Sequence, residues 1–395
     1  MQVYLDHSAT TYTDKRVLEE MIPYFCEQFG NGSSQHSLGR NALKAIDKAR
    51  EQVAKAIGAT ASEIYFTSGG TESDNWAIKG IAEASKDKGN HIITSKIEHP
   101  AVIQTCKKLE KRGFEVTYLG VNSDGMIDLA ELENAITDKT ILITIMAANN
   151  EVGSIEPIKE IGKIAKAHKI PFHTDAVQAI GNVKIDVDEM NIDMLSMSAH
   201  KFYGPKGVGV LYKRNGLKLS RFMDGGEQER NMRASTLNTP SIVGLGKAIE
   251  LAVIEFEKNN AHNAELRDYF VEQVLKKIED VRFNGTKDYS KRLSTNANFS
   301  FEFVEGESIL MLLDMEGIAV SSGSACSSGS LEPSYVLLSV GVPIEIAHGS
   351  IRFSFGRSNT KEQVDYTIEK LVEIIAKLRA MSPLFKTTQG EQKYV

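Results

Sequence analysis

Cysteine is scarce in this chain of 395 residues, and no two cysteines stand close together. Cys26, Cys106 and Cys326 are odd in number, far apart and never part of a Cys-x-x-Cys pair. This pattern argues against a disulfide framework and against a structural zinc site. It favours a reducing compartment, and we expect the protein to be cytoplasmic.

Long apolar runs and an excess of basic charge are also missing. No run approaches the roughly 20 apolar residues that a membrane helix requires. The N-terminal stretch "MQVYLDHSATTYTD" has no basic apolar leader, so no targeting signal is visible. A net charge of -6 gives no overall basic surface. We therefore expect a soluble protein with neither a membrane nor a nucleic-acid partner.

The composition, with 42% hydrophobic residues, is sufficient for one large core and a smaller one. From about Arg16 to Glu257, short apolar runs alternate with amphipathic helical segments. Such alternation predicts an α/β domain with a mainly parallel sheet covered on both faces. After this stretch, strands and a C-terminal helix predict a smaller α+β domain. We assign residues 15–255 to the large domain, and residues 1–14 and 256–395 to the small one.

Polar residues follow several of the predicted strands. Because ligands of open α/β sheets bind outside the carboxyl ends of the strands, we expect these residues to converge on one cleft. They are Thr67 to Thr71, Glu98, His99, Asn149, Asn150, Asp175, Gln178 and Ser198 to Lys201.

A lysine stands at the end of one apolar run, in "IDMLSMSAHKFYGPKGVGVLY". The glycines after Lys201 match neither a Walker loop nor a dinucleotide-binding fingerprint. Lys201 is either an ordinary solvated lysine or an amine fixed for Schiff-base chemistry, which requires a defined position and a lowered pKa. The second interpretation predicts that the chain also binds the rest of a pyridoxal phosphate cofactor.

The sequence offers a candidate residue to bind each part of that cofactor. Asp175 is placed to keep a pyridine nitrogen protonated, although an aspartate there is equally typical of a helix N-cap. Gln178 is predicted to donate to the ring hydroxyl. His99 is predicted to stack on the ring, the alternative being a structural histidine.

The phosphate is predicted to bind at "TSGGTESDN", which reads as strand, glycine turn and helix. Backbone N–H groups of Gly70 and Thr71 would meet the phosphate at a helix N-terminus. This assignment requires that Glu72 and Asp74 point away from the phosphate.

Several segments together resemble cysteine desulfurases of the NifS/IscS type, which are pyridoxal-phosphate enzymes of the class-V aminotransferase group. The resemblance covers nearly the whole chain and implies the type I fold of PLP-dependent transferases. The segments are, in order, "LDHSATT", "SGGTESDN", "IEHPAV", "NNEVGSI", "HTDAVQAIG", "SAHKFYGPKGVG" and "SSGSACSSGSLEPS".

The resemblance implies a role for each matching residue. Lys201 would be the Schiff-base lysine and His99 the stacking acid or base, with Asp175 on the pyridine nitrogen. The remaining cofactor contacts would come from Gln178 on the ring hydroxyl, from Thr71, Ser198 and His200 on the phosphate, and from Thr236 of the other subunit. A homodimer is therefore implied.

Cys326 lies among serines and glycines, which predict a flexible loop over about residues 321–332. We expect Cys326 to be reactive and exposed, and Cys26 and Cys106 to be buried structural cysteines. The predicted reaction converts L-cysteine to L-alanine, with a persulfide on Cys326 that passes to an iron-sulfur scaffold or another acceptor protein. Arg352 and Asn150 are predicted to bind the substrate carboxylate.

Three alternatives remain open from the sequence. A selenocysteine lyase or an aminotransferase would share the fold and cofactor, since these do not fix the reaction. A non-catalytic sulfur-assembly scaffold would retain the fold without the chemistry.

Overall fold

The computed structural model describes residues 1–322, 333–383 and 385. The strands are β1 (Val3–Tyr4), β2 (Ile64–Thr67), β3 (His91–Ser95), β4 (Glu115–Leu119), β5 (Thr140–Thr144), β6 (Phe172–Asp175), β7 (Met194–Ser198), β8 (Gly209–Lys213), β9 (Val281–Phe283), β10 (Asn296–Phe301), β11 (Ile318–Ala319), β12 (Ser321–Ser322) and β13 (Ser350–Ser354).

The helices are α1 (Lys15–Met21), α2 (Pro23–Cys26), α3 (Ser37–Ile57), α4 (Gly70–Ala84), α5 (Pro100–Glu110), α6 (Leu129–Ala135), α7 (Ile158–Ala167), α8 (Gln228–Asn231), α9 (Thr239–Ile254), α10 (Phe256–Lys277), α11 (Gly306–Met315), α12 (Tyr335–Ser339), α13 (Ile344–Ala347) and α14 (Lys361–Met381). Among the described residues, no helix combines the length and the apolar character needed to cross a membrane.

A seven-stranded sheet forms the centre of the large part of the molecule, with the order β2-β8-β7-β6-β5-β3-β4. Neighbouring strands are parallel except where β8 pairs with β2 and β7. Apolar residues of α3, α7 and α9 pack on one face, and those of α4 and α5 pack on the other. Because both faces are covered, strands such as β3 and β7 are buried along their whole length. The predicted α/β class is confirmed.

A second, antiparallel sheet has the order β12-β13-β10-β9. Its apolar side chains pack with α10, α11 and α14 in a separate core that also contains Val3 and Leu5 of the N-terminus. The α+β character expected of the C-terminal part is thus present. The exact division at residues 14/15 and 255/256 stays a prediction.

The N-terminal segment belongs to this second core although it is distant in sequence. Strand β1 pairs in parallel with β11, and the backbone N–H of Ser8 donates to Ser354 Oγ at 2.9 Å. The residues that follow β1 therefore run along the boundary between the two sheets and reach the carboxyl ends of the large sheet.

Candidate active site

A cleft of about 290 Å³ lies at the carboxyl ends of β2, β6 and β7, close to the lower end of the range for small-molecule sites. Ten of the residues selected from the sequence line it, and it is closed on one side by the N-terminal segment. These ten residues are Gly70, Thr71, His99, Asn150, Asp175, Gln178, Ser198, His200, Lys201 and Arg352.

Lys201 ends a single 3-10 turn, Ala199–Lys201, that directly follows β7. Its Nζ donates to the backbone oxygens of Ser8 at 2.5 Å and Ala9 at 2.9 Å. The amine is therefore held at a defined place in the cleft, as a nucleophilic lysine requires. This geometry favours the Schiff-base interpretation over that of a solvated surface lysine.

Two carboxyl groups lie together on the floor of the cleft. Asp175 is buried, its Oδ1 accepts from the Val177 N–H at 2.9 Å, and burial raises the pKa of its carboxyl. Asp74 is also buried, and burial together with the charge of Asp175 raises its pKa well above the ordinary value. One polar atom each of Asp74, Asp175 and His99 lies within 4.8 Å of the others. A buried carboxylate here is suited to face a cationic ring nitrogen.

His99 begins α5, and its Nδ1 accepts from the Ala101 N–H at 3.2 Å. Burial lowers the pKa of the ring below its usual value, which keeps the imidazole neutral at pH 7. Because Nδ1 is an acceptor, the neutral ring carries its proton on Nε2. His99 therefore caps the N-terminus of α5 and also lines the cleft.

The glycine turn between β2 and α4 also lines the cleft and is a candidate anion site. Gly69 has φ 155°, and a Cβ on Gly70 would lie 2.6 Å from Val177 Cγ2. Only residues without a side chain therefore let the backbone N–H groups face the cleft. Ser198 and His200 lie beside this turn; His200 Nδ1 is 3.0 Å from Thr10 Oγ1, and burial lowers its pKa to about 4.

The residues fit pyridoxal phosphate. A cradle that a Cβ would fill, two buried carboxyl groups and a fixed lysine amine all line the same volume. The Glu72 carboxylate accepts from the Ser68 N–H and is paired with Arg233, which compensates its charge beside the turn. Asp74 lies by Asp175 and His99 on the cleft floor.

Arg352 is buried in β13 and reaches across to the large sheet. Its Nη1 donates to the Asn150 carbonyl at 2.9 Å, and its Nη2 to Asp6 Oδ1 at 2.9 Å. Among the described residues, no atom accepts a hydrogen bond from its buried Nε. Arg352 also lines the cleft, and the second N–H of each Nη atom can donate to a bound carboxylate. Gln178 Nε2 is already engaged with the Ser8 carbonyl at 2.9 Å.

One predicted site residue that the structure describes does not line this cleft. Thr236 is exposed and is not among the residues that line it. Cys326 lies outside the described residues. Of the other cysteines, Cys106 is buried as predicted, but the expectation for Cys26 was wrong. Cys26 is exposed because it ends the four-residue helix α2, in which no residue is buried.

The sequence analysis missed three residues that shape the site. Asp6 pairs with Arg352, the carbonyl of Ser8 accepts from Lys201 and Gln178, and Asp74 lines the cleft. The sequence analysis considered Asp74 only as a carboxylate that must point away from the phosphate. Asp6 and Ser8 lie in the segment "LDHSATT", but apart from that resemblance no local pattern marks them as site residues.

Comparisons with known proteins agree on one family. Residues 3–367 match the aminotransferase class-V family. The cysteine desulfurase IscS of Clostridium botulinum is 58% identical over 385 residues, covering 98% of this chain and 97% of the relative. That of Dictyoglomus turgidum is 58% identical over 382 residues, covering 97% and 96%.

Solved structures give the same picture. A NifS-like protein superposes with a TM-score of 0.89 at 40% identity, covering 95% of this chain and 100% of that one. The protein SspA, solved in complex with cysteine, superposes with a TM-score of 0.80 at 40% identity, covering 91% and 100%.

Proposed function

Because this chain belongs to the class-V aminotransferase family and is a cysteine desulfurase dependent on pyridoxal phosphate, we propose that the cleft around Lys201 converts L-cysteine to L-alanine. The observation that supports this assignment is one volume lined by a fixed lysine, a buried carboxyl group, a glycine turn and an arginine. The chemistry of an amino acid on this cofactor requires an amine that binds the cofactor, a site for its phosphate and a group that binds the substrate carboxylate.

The cofactor would be held at three points. Lys201 would bind its aldehyde carbon, Asp175 its ring nitrogen, and the Gly70–Thr71 backbone with Ser198 its phosphate. When bound, the cofactor supplies an electron sink for the substrate's α-carbon. For Asp175 to keep the ring nitrogen protonated, its carboxyl must be ionised. The positive ring nitrogen offsets the cost of burying that charge.

The substrate would be oriented by its carboxylate. Arg352 and Asn150 line the cleft, where the guanidinium and the side-chain amide would donate to the two carboxylate oxygens. His99 offers an Nε2–H hydrogen bond in the tautomer that its bond to Ala101 selects. Together these groups fix the α-carbon and the thiol relative to Lys201.

Sulfur transfer is assigned to Cys326. Its thiolate forms a bond to the substrate sulfur, the carbon–sulfur bond breaks, and the electron pair of that bond stays on carbon. Protonation of this carbon completes L-alanine, and the enzyme retains a persulfide. The persulfide sulfur then passes to an acceptor protein, for which we propose an iron-sulfur assembly scaffold in the cytoplasm.

A homodimer is supported by two surface features. Thr236 is exposed instead of lining its own cleft, in line with a role in the neighbour's phosphate site. Large apolar side chains are also exposed near the N-terminus, with Ile22 53%, Phe25 57% and Phe29 64% accessible. Apolar side chains that remain exposed close together favour a protein interface.

The test compares Cys326→Ser with Cys26→Ser, a matched variant at another exposed cysteine. With L-cysteine, Cys326→Ser should still show the substrate-induced change in the cofactor spectrum, but little alanine and no persulfide by peptide mass spectrometry. The hydroxyl is a poor nucleophile toward sulfur, so the reaction stops after substrate binding. Cys26→Ser should behave as wild type. Alanine production by Cys326→Ser at the wild-type rate would refute this role.

A further inference from the structure

An acidic side chain stands beside the proposed phosphate site. Glu72 is the third residue of α4, whose N-terminus faces the cleft. A carboxylate in the first turn of a helix competes with a bound anion for the positive end of the helix dipole. At an effective dielectric constant of about 20, charges several ångströms apart still interact by a few kcal/mol. An unpaired Glu72 would therefore weaken the binding of a dianionic phosphate.

Arg233 pairs with this carboxylate. Its Nε lies 2.8 Å from Glu72 Oε1 and its Nη2 3.0 Å from Oε2, a two-point contact. The two side chains are only 13% and 9% exposed, so solvent screens them little. Although burial opposes ionisation, Arg233 and Ser68 lower the pKa of Glu72, which therefore carries its charge at neutral pH.

The backbone that carries Arg233 is fixed nearby. Glu229, Arg230 and Asn231 have left-handed φ values of 46°, 55° and 62°, which non-glycine residues adopt only when their surroundings impose it. The buried Glu229 carboxylate accepts from both Arg50 Nη atoms, at 2.7 and 2.9 Å, and from the Phe66 N–H at 2.8 Å.

The segment that carries Glu229 and Arg233 contacts the chain both before and after the glycine turn. Phe66 lies in β2, the edge strand that leads into the turn, and Glu72 lies in the helix that leaves it. Glu229 binds the first and Arg233 binds the second. The glycine turn is therefore fixed by contacts to the strand that precedes it and to the helix that follows it.

We propose that Arg233 is a positioning residue for the cofactor phosphate, which it serves by neutralising the Glu72 carboxylate beside the glycine turn. The inference rests on the proposed function, namely on the phosphate binding at Gly70 and Thr71. Arg233 itself contacts Glu72 and does not line the cleft.

The experiment titrates the cofactor-free protein with pyridoxal 5'-phosphate and, separately, with pyridoxal, which lacks the phosphate, and follows absorbance. Arg233→Gln should bind pyridoxal 5'-phosphate about tenfold or more weakly. Its affinity for pyridoxal should change less than about twofold, because the lost interaction is with the phosphate charge. The double variant Glu72→Gln/Arg233→Gln removes both charges and should recover most of the affinity.

Two controls separate the possible failures. Lys86→Gln breaks the exposed Lys86–Glu83 pair beyond the other end of α4 and should leave both affinities unchanged. Ser198→Ala should weaken pyridoxal 5'-phosphate selectively, because Ser198 belongs to the proposed phosphate site itself. If Ser198→Ala shows no selective loss, the phosphate site of the proposed function is wrong.

If Ser198→Ala shows the loss but Arg233→Gln does not, the role of Arg233 is overturned. Equal loss for both ligands, or a double variant as weak as Arg233→Gln, would mean that Arg233 only supports the fold. Thermal melting of each cofactor-free variant identifies misfolding. If Arg233→Gln does not fold, the double variant is compared with Glu72→Gln instead. If the double variant then binds pyridoxal 5'-phosphate more weakly than Glu72→Gln does, but binds pyridoxal equally well, the proposal is overturned.

Discussion

Replacing Arg352 by lysine should remove the donor that we expect to meet the substrate carboxylate. Two arms of the guanidinium are already committed, Nη1 to the Asn150 carbonyl and Nη2 to Asp6. Each Nη atom carries a second N–H, and Arg352 lines the cleft, so these N–H groups are left for a ligand. Lysine keeps the positive charge beside Asp6 but has a single nitrogen, which cannot serve all three directions.

The size of the effect follows from the one hydrogen bond that is lost. A hydrogen bond to a charged group contributes about 1.5–3 kcal/mol. At 1.4 kcal/mol for each factor of ten, this predicts a loss of roughly 10–150-fold in kcat/KM. We expect the loss mainly in KM, because the carboxylate is held before and during the reaction.

The assay measures alanine formation over a range of L-cysteine concentrations. Arg282→Lys serves as the matched control, because Arg282 also belongs to the small sheet but donates to the Val340 and Gly341 carbonyls. That control should keep the wild-type KM. An unchanged KM in Arg352→Lys, with a normal cofactor spectrum, would show that Arg352 only joins Asp6 to the Asn150 segment.

Two further predictions concern the lysine and a buried glutamate. Borohydride reduction of the purified protein followed by peptide mapping should place the cofactor on Lys201, and label on Lys206 would contradict the assignment. Burial raises the pKa of Glu156 to about 8 from 4.5, so its contribution to stability is fully present below about pH 4.5 and is lost as the pH rises toward 8. Glu156→Gln should therefore flatten the fall in the free energy of unfolding between about pH 5 and 8, measured by denaturant titration; an unchanged slope would assign the fall to other groups.

The architecture of the large sheet could be predicted from local patterns. Apolar runs with polar endings indicate buried parallel strands, and β3, β6 and β7 have this form. The reversed direction of β8 could not be predicted, because a short buried strand has the same hydrophobic pattern in either direction. Its antiparallel pairing with β7 and β2 depends on the length of its connections and on tertiary packing.

Residues at strand ends could be placed in the site for the same reason. Lys201 and Asp175 follow neighbouring strands, so the topology of a parallel sheet brings them together. Asp6 could not be found this way, because 346 residues separate it from Arg352. The exposure of Cys26 was also missed, since cysteine is usually buried and only the packing of α2 decides otherwise.

The early position of β1 has a consequence for synthesis on the ribosome. Strand β11, which pairs with β1, is translated near the end of the chain. The same holds for Arg352 and Ser354, which contact Asp6 and Ser8. At about 5–20 residues per second, roughly 20–70 s pass before Ser354 follows the N-terminus out of the ribosome. During that interval Val3 and Leu5 lack the core that buries them. The nascent chain must therefore keep its first residues unaggregated, and its cleft gains Arg352 only when synthesis is almost finished.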